Sequence, residues 1–260
     1  MEGTMEVIEL FGLAFSQVPL SEAIETLGKR AGEKKGLLVF TPNVDHLVLI
    51  ETDSSYRNVY QEADWVFADG MPIVWFSRLV GRPLPERVTG ADLVPGLCRI
   101  AAEKGLRVFI LGGAPDVTPL AAERLFKMNP RLEIAGIATP PQGFENDDAI
   151  NLSIIDVIKR ASPDILFVAL GAPRQEIWAC QNRDRLNAGI ILGVGGAFDF
   201  ISGRTKRAPA WMQKLGLEWL WRLVREPKRL WKRYLVRDMR FIGIAYREWR
   251  KQRSGRLGTT

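Results

Sequence analysis

Asp69 follows the apolar run Trp65–Ala68 and precedes Gly70, in the segment ADGMPIVW. A carboxylate at the carboxyl end of a strand is where a general base is wanted. With an ordinary pKa of about 3.9 it is ionised at neutral pH. The competing reading is a plain Asp-Gly turn. In TPNVDHLV, Thr41 and Asn43 close another apolar run. Pro42 biases Thr41 away from helix, so a helix should start near Asn43. Hydroxyl and amide groups there can face a ligand at a helix N-terminus, or Asn43 can simply cap the helix. Arg87, in PERVTGADL, can grip a phosphate through paired charge-assisted hydrogen bonds or pair with a nearby acid. Gln175, in LGAPRQEIW, can hydrogen-bond a sugar or a base, and Glu176 beside it suits a helix N-terminus. Gly112 and Gly113 in ILGGAPD, and Gly195 in GVGGAFDF, let a backbone approach a nucleotide. Neither loop has the full G-x-G-x-x-G spacing, which argues against a nicotinamide enzyme.

Metal chemistry has little to work with. The single His46 rules out a multi-histidine site, and Cys98 and Cys180 have neither metal spacing nor a disulfide framework. No Asp-x-Asp occurs; the closest acidic pair is Asp147–Asp148. An enzyme that handles a nucleotide-sugar through a divalent cation needs such carboxylates close together. No metal and no cofactor is therefore expected, and cationic side chains would have to stabilise a leaving diphosphate.

These residues need a frame that gathers them. Short apolar runs alternate with longer amphipathic stretches, the pattern of a layered α/β domain with a mostly parallel sheet. Strands are predicted at Val7–Phe11, Leu37–Thr41, Trp65–Ala68, Arg107–Leu111, Leu132–Ile137, Ile165–Leu170 and Gly189–Gly193. Helices are predicted at Glu22–Arg30, capped by Ser21, at Val117–Met128, capped by Asp116, and at Asp147–Arg160. In an open parallel sheet, ligands bind beyond the carboxyl ends of the strands, so the glycine-bearing loops should meet there.

Charge divides the chain. Residues 203–260 carry 17 Lys and Arg against 4 Asp and Glu, a net +13. The preceding 202 residues carry 19 against 26, a net −7. Two units are expected: an α/β catalytic body over 1–202 and a basic appendage over 203–260. An anionic partner for the appendage follows, whether lipid headgroups, a phosphorylated substrate or nucleic acid. Five of the eight Trp lie at or after Trp211. In EWLWRLVREPKRLWKRYLVRDMRF, Leu217, Leu220, Trp221 and Val224 share one helical face. Arg222, Arg225, Arg229 and Arg233 fall roughly opposite, with Pro227 in the first turn of a second helix. Basic amphipathic helices rich in Trp and Leu lie in membrane interfaces. Packing of the apolar face on the body is the other reading. No run of about 18 apolar residues suggests a transmembrane helix, and the acidic start suggests no signal peptide. A cytoplasmic chain is expected from its cysteine usage.

Taken in order, TPNVDH, ADGMPIVW, PERVTGADL, ILGG, GAPRQE, GVGGAFDFISG and RAPAWMQKLGLEWLWRLVREPKR resemble the WecG/TagA/CpsF family of bacterial glycosyltransferases. The resemblance runs from about Val7 to about Phe241. It implies a Rossmann-like body with a C-terminal appendage. It also implies an inverting transfer of an N-acetylmannosamine-type sugar from a UDP-sugar to a sugar on undecaprenyl diphosphate, at the inner face of the plasma membrane, in making surface polysaccharide such as teichoic acid. It implies no nucleic-acid partner, and it allows self-association. Matched by motif, Asp69 is the general base, Thr41 and Asn43 face the substrate, Arg87 meets a diphosphate, and Gln175 lies near a sugar. Arg222 and Arg229 match arginines that hold the leaving UDP. A third basic position falls on Lys232 or Arg233; a lysine there would weaken bidentate phosphate binding.

Overall fold

The computed structural model describes residues 6–257, without the side chains of residues 210, 214, 229 and 255–257. Eight strands form one sheet: β1 (Val7–Leu10), β2 (Leu13–Ser16), β3 (Leu37–Phe40), β4 (Trp65–Val66), β5 (Arg107–Gly112), β6 (Glu133–Ala138), β7 (Ile165–Ala169) and β8 (Ile190–Gly193). Their order is β1-β2-β4-β3-β8-β7-β5-β6, with β1 antiparallel to β2 and every other pair parallel.

The central strands are uninterrupted apolar runs because both faces of the sheet are covered. Alternate residues serve opposite cores. Val39, Ile110, Phe167 and Leu192 pack on one side; Phe40, Leu111, Val168 and Ile191 pack on the other. Helices α1 (Leu20–Arg30), α5 (Gly90–Lys104), α6 (Thr118–Met128) and α9 (Ala197–Ile201) bury Leu27, Leu97, Leu125 and Phe198 on the first side. Helices α2 (Val44–Thr52), α3 (Ser54–Gln61), α4 (Met71–Leu79), α7 (Asp148–Ala161) and α8 (Arg174–Asn182) bury Leu47, Tyr56, Val74, Ile158 and Trp178 on the second.

Three local expectations need correction. Strand β2 was not anticipated. It follows a two-residue turn in which Phe11 (φ 56°) and Gly12 (φ 73°) both adopt positive φ, as a type I′ hairpin requires, without the usual Asn-Gly or Asp-Gly signal. Ser21 does not cap α1. The helix starts at Leu20, two residues before the expected Glu22, and the Leu20 N–H donates to Glu86 Oε1 at 2.7 Å. Asp116 does not cap α6; it pairs with Arg204 at 3.1 Å.

After α9 the chain makes three short helices, α10 (Ala210–Lys214), α11 (Glu218–Arg225) and α12 (Pro227–Lys232), then a π-helical turn over Arg233–Arg237. Helix α13 (Arg240–Leu257) returns to the sheet-built body. Its Phe241, Ala245 and Trp249 pack on the second core, Arg247 pairs with Glu51 at 2.6 Å, and the Gln252 amide donates to the Glu9 carbonyl at 3.3 Å.

Candidate active site

The two-residue β4 is held in line beyond its formal end by main-chain hydrogen bonds. The Asp69 N–H donates to the Pro42 carbonyl and the Val88 N–H to the Ala68 carbonyl, both at 2.9 Å. Asp69 is thereby fixed between the segment that carries Asn43 and the one that carries Arg87. Gly90, at the start of α5, comes so close to the loop after β8 that a Cβ would lie 3.0 Å from the Val194 Cα. Any side chain there would push the Arg87–Thr89 segment off the sheet edge.

A cavity of about 390 Å3 opens over Asp69. Asn43, Asp45, Asp69, Met71, Arg87, Thr89 and Phe200 line it from the body; Arg207, Glu218, Trp219, Arg222 and Arg233 line it from the C-terminal segment. Asp69 is half-buried, and no described group hydrogen-bonds to its carboxylate. Burial pushes its pKa up to about 6; the Arg87 guanidinium pulls it down, while Glu218 pushes it further up. Such a carboxyl is ionised at neutral pH yet basic enough to take a proton.

The arginines around it are in two conditions. Arg87 donates to Glu218 Oε2 at 2.6 Å, and Arg207 grips Asp92 with both Nη atoms at 2.5 and 2.8 Å. Thr89 also donates to Asp92, at 2.8 Å. Arg207 Nε lies 3.6 Å from Glu218, which closes the network. Arg233 pairs with Asp45 at 3.0 Å, and Arg237 pairs with the same carboxylate. Asp238 lies beside Asp45 in the cavity wall; burial and the neighbouring Asp45 charge raise its pKa to about 6. Arg222 differs. It lines the cavity without an ion pair to any described residue, its guanidinium over the Phe200 ring, 5.6 Å from the centroid.

Asn43 does what both readings required. Its side chain accepts from the Asp45 and His46 N–H groups at 3.0 and 3.4 Å, capping α2, and it also lines the cavity. His46 touches Asn43 Oδ1 at 2.9 Å and lies 3.4 Å from Glu176. Burial works against the Glu176 charge, but hydrogen bonds and charge from His46, with the Gln175 amide, hold its pKa below the ordinary value. Gln175 is buried and faces inward. Its Oε1 accepts from the Gly171 and Gly195 N–H groups at 3.2 and 3.0 Å, tying the loop after β7 to the loop after β8.

Thr41 is buried at the end of β3 and is not among the residues that line the cavity. Gly112 and Gly113 also lie away from it. With strands about 4.8 Å apart, the end of β5 lies roughly 19 Å across the sheet from β4. A Cβ on Gly112 would sit 2.6 Å from the Ala169 carbonyl, so close packing accounts for that glycine. Gly195 faces open space. Arg233 lines the cavity, whereas Lys232 is exposed on α12 with its Nζ over Trp231. The Arg229 side chain lies outside the described residues. Sequence reasoning missed Asp45, Asp92, Arg207, Glu218 and Asp238. Asp45 and Asp92 sit inside the quoted motifs TPNVDH and VTGADL, which was the available signal.

Among the described residues no three His, Cys, Asp or Glu side chains gather as a metal ion would need, and no helix is long and apolar enough to cross a membrane. Residues 8–255 match the family model described as "Glycosyl transferase WecG/TagA/CpsF family". Three similar proteins carry the name N-acetylglucosaminyldiphosphoundecaprenol N-acetyl-β-D-mannosaminyltransferase. The one from Bacillus spizizenii is 36% identical over 203 residues, 78% of this chain and 76% of the relative. The one from Bacillus subtilis is 32% identical over 232 residues, 89% and 88% of the two chains. The one from Staphylococcus aureus is 26% identical over 225 residues, 86% of each.

Proposed function

The chain belongs to the WecG/TagA/CpsF glycosyl transferase family, and from that premise we propose that it moves an N-acetylmannosamine-type sugar from a UDP-sugar to undecaprenyl-diphosphate-linked GlcNAc, inverting the anomeric centre without a metal ion. The acceptor and the sugar follow the names of its relatives. The observation that carries the chemistry is the pairing, in one cavity, of a carboxylate with no hydrogen bond and a cavity-lining arginine with no carboxylate partner.

In this reading Asp69 takes the proton from the acceptor hydroxyl as that oxygen attacks the anomeric carbon. The bond to the diphosphate breaks on the opposite face, so a single displacement inverts the centre. Negative charge grows on the leaving diphosphate, and Arg222, not engaged by any of the described carboxylates, meets it. Arg87 and Arg233 join by exchanging Glu218 and Asp45 for phosphate oxygens. Asn43 orients the sugar from the N-terminus of α2. The Gly195 loop, steadied by Gln175, receives the nucleotide end. The basic segment after Gly203 holds the enzyme peripherally on the anionic inner face of the plasma membrane, where a lipid-borne acceptor resides.

Asp69→Asn tests the assignment with two readouts. Turnover should fall by about 10²–10⁴, the usual contribution of a general base, while UDP-sugar binding is retained. The variant should also be more stable at neutral pH by about 1–2 kcal/mol, because a buried charge has been removed from a group that resists ionisation. Wild-type turnover in this variant removes Asp69 from the base role. Turnover abolished by chelator removes the metal-independent mechanism.

A further inference from the structure

We infer that the bilayer-contact surface is not confined to the basic C-terminal segment but extends onto α4, a helix of the body, whose Trp75 and Leu79 enter the lipid interface beside the cavity mouth. This rests on the peripheral-membrane reading above and adds a second, separately testable element to it.

Helix α4 buries Ile73, Val74, Phe76 and Ser77 against the second core. Its outward face should then be polar. Instead Trp75 is 47% and Leu79 69% exposed, four residues apart on one side of the helix. Arg78 and Arg82 are exposed beside them and make no ion pair with any described residue. An apolar pair flanked by unpaired guanidinium groups fits an anionic lipid surface, where the rings and methyl groups enter and the charges meet headgroups.

The patch meets the exposed apolar residues of the C-terminal segment at the turn after Leu215. A Cβ on Gly216 would lie 2.8 Å from the Trp75 ring, so the turn after exposed Leu215 rests on α4. On its buried side α4 is tied to the same segment, since Phe76 packs on Phe11 with ring centroids 4.6 Å apart and Phe11 meets Phe241 at 5.5 Å. Met71, one turn earlier on α4, lines the cavity itself. A bilayer lying on this rim would bring a lipid-linked sugar to the cavity from the side on which α4 stands.

The experiment uses the full chain and vesicles of phosphatidylglycerol and phosphatidylcholine. Three proteins are floated: wild type, a Trp75→Glu/Leu79→Glu variant, and Val224→Glu in the C-terminal segment, where Val224 is 72% exposed. Both variants should bind vesicles about tenfold or more weakly. The α4 variant should keep wild-type turnover on a water-soluble short-prenyl acceptor while losing turnover on vesicle-borne acceptor. Loss of binding in Val224→Glu alone overturns the α4 proposal and leaves the C-terminal reading standing. Wild-type binding by both variants overturns the membrane reading as a whole. Unchanged vesicle binding with a shift from dimer to monomer on gel filtration assigns the face to a second copy and also overturns the proposal. Leu79→Gln, milder at so exposed a position, repeats the comparison and should show the same direction of effect.

Discussion

The floor and the roof of the cavity are built on opposite rules. On the floor, β3, β4 and their helices bury almost every apolar side chain, and the few polar groups left inside are tied into short hydrogen-bonded chains such as Asn43–His46–Glu176. In the roof, Trp211, Leu215 and Val224 are exposed away from the cavity, while Trp219, Leu235 and Met239 line it together with Arg207, Arg222 and Arg233. The floor is a core with a charged opening. The roof mixes cationic and apolar side chains on its cavity face and leaves further apolar ones exposed. A segment with that polarity gains little from packing apolar surface in water, so ion pairs hold it down: Arg87–Glu218, Arg207–Asp92 and Arg233–Asp45.

The largest effect that would sharpen this contrast is kinetic. Arg222 has no carboxylate to stabilise, so Arg222→Ala should lower kcat by about 10²–10³. It should change unfolding free energy by no more than about 1 kcal/mol, the worth of its contact with Phe200. A large stability loss with normal kcat would make Arg222 a structural residue. Next comes Glu218→Ala, which should do the reverse. It strands the half-buried Arg87 and part of Arg207, so the roof should loosen at a cost of about 3 kcal/mol, read by denaturation and by faster proteolysis within residues 203–239. Unchanged proteolysis would mean that this pair does not fasten the roof. The smallest effect is a pH dependence. The folded protein holds the Asp238 proton more tightly than an ordinary carboxyl of pKa 3.8 does. The stability this supplies is fully present below about pH 4 and is lost as pH rises through about 6. Asp238→Asn removes the titrating group beside Asp45 and should flatten that slope by about 1 kcal/mol.

Much of the floor was legible because it obeys local rules. Continuous apolar runs such as ILFVA mean a strand buried on both faces, and a polar residue just past such a run sits at the ligand edge of a parallel sheet. Asp69 and Asn43 could be picked out on that basis and Arg87 by its phosphate-binding chemistry, and the three share one cavity. Strand β2 was not legible because its turn depends on Phe11 in a left-handed conformation that few residues signal. The ion-pair network was illegible for another reason. Arg87 and Glu218 are 131 positions apart, and nothing in either neighbourhood specifies the other. Gln175 shows how a motif can mislead in detail: an amide at the start of a helix reads as a ligand contact, yet its oxygen is already shared by two loop N–H groups.

Because α13 is fastened to β1 and α2 through Gln252 and Arg247, the stretch carrying Arg207, Arg222 and Arg233 is an arch with two footings. An arch can rise to admit a bulky guest, but it cannot drift away. Its guanidinium groups therefore remain at high effective concentration over Asp69 even when every ion pair beneath them is open. Product departure would then require flexing at two hinges, near Gly203 and near Asp238, with no refolding of a disordered terminus.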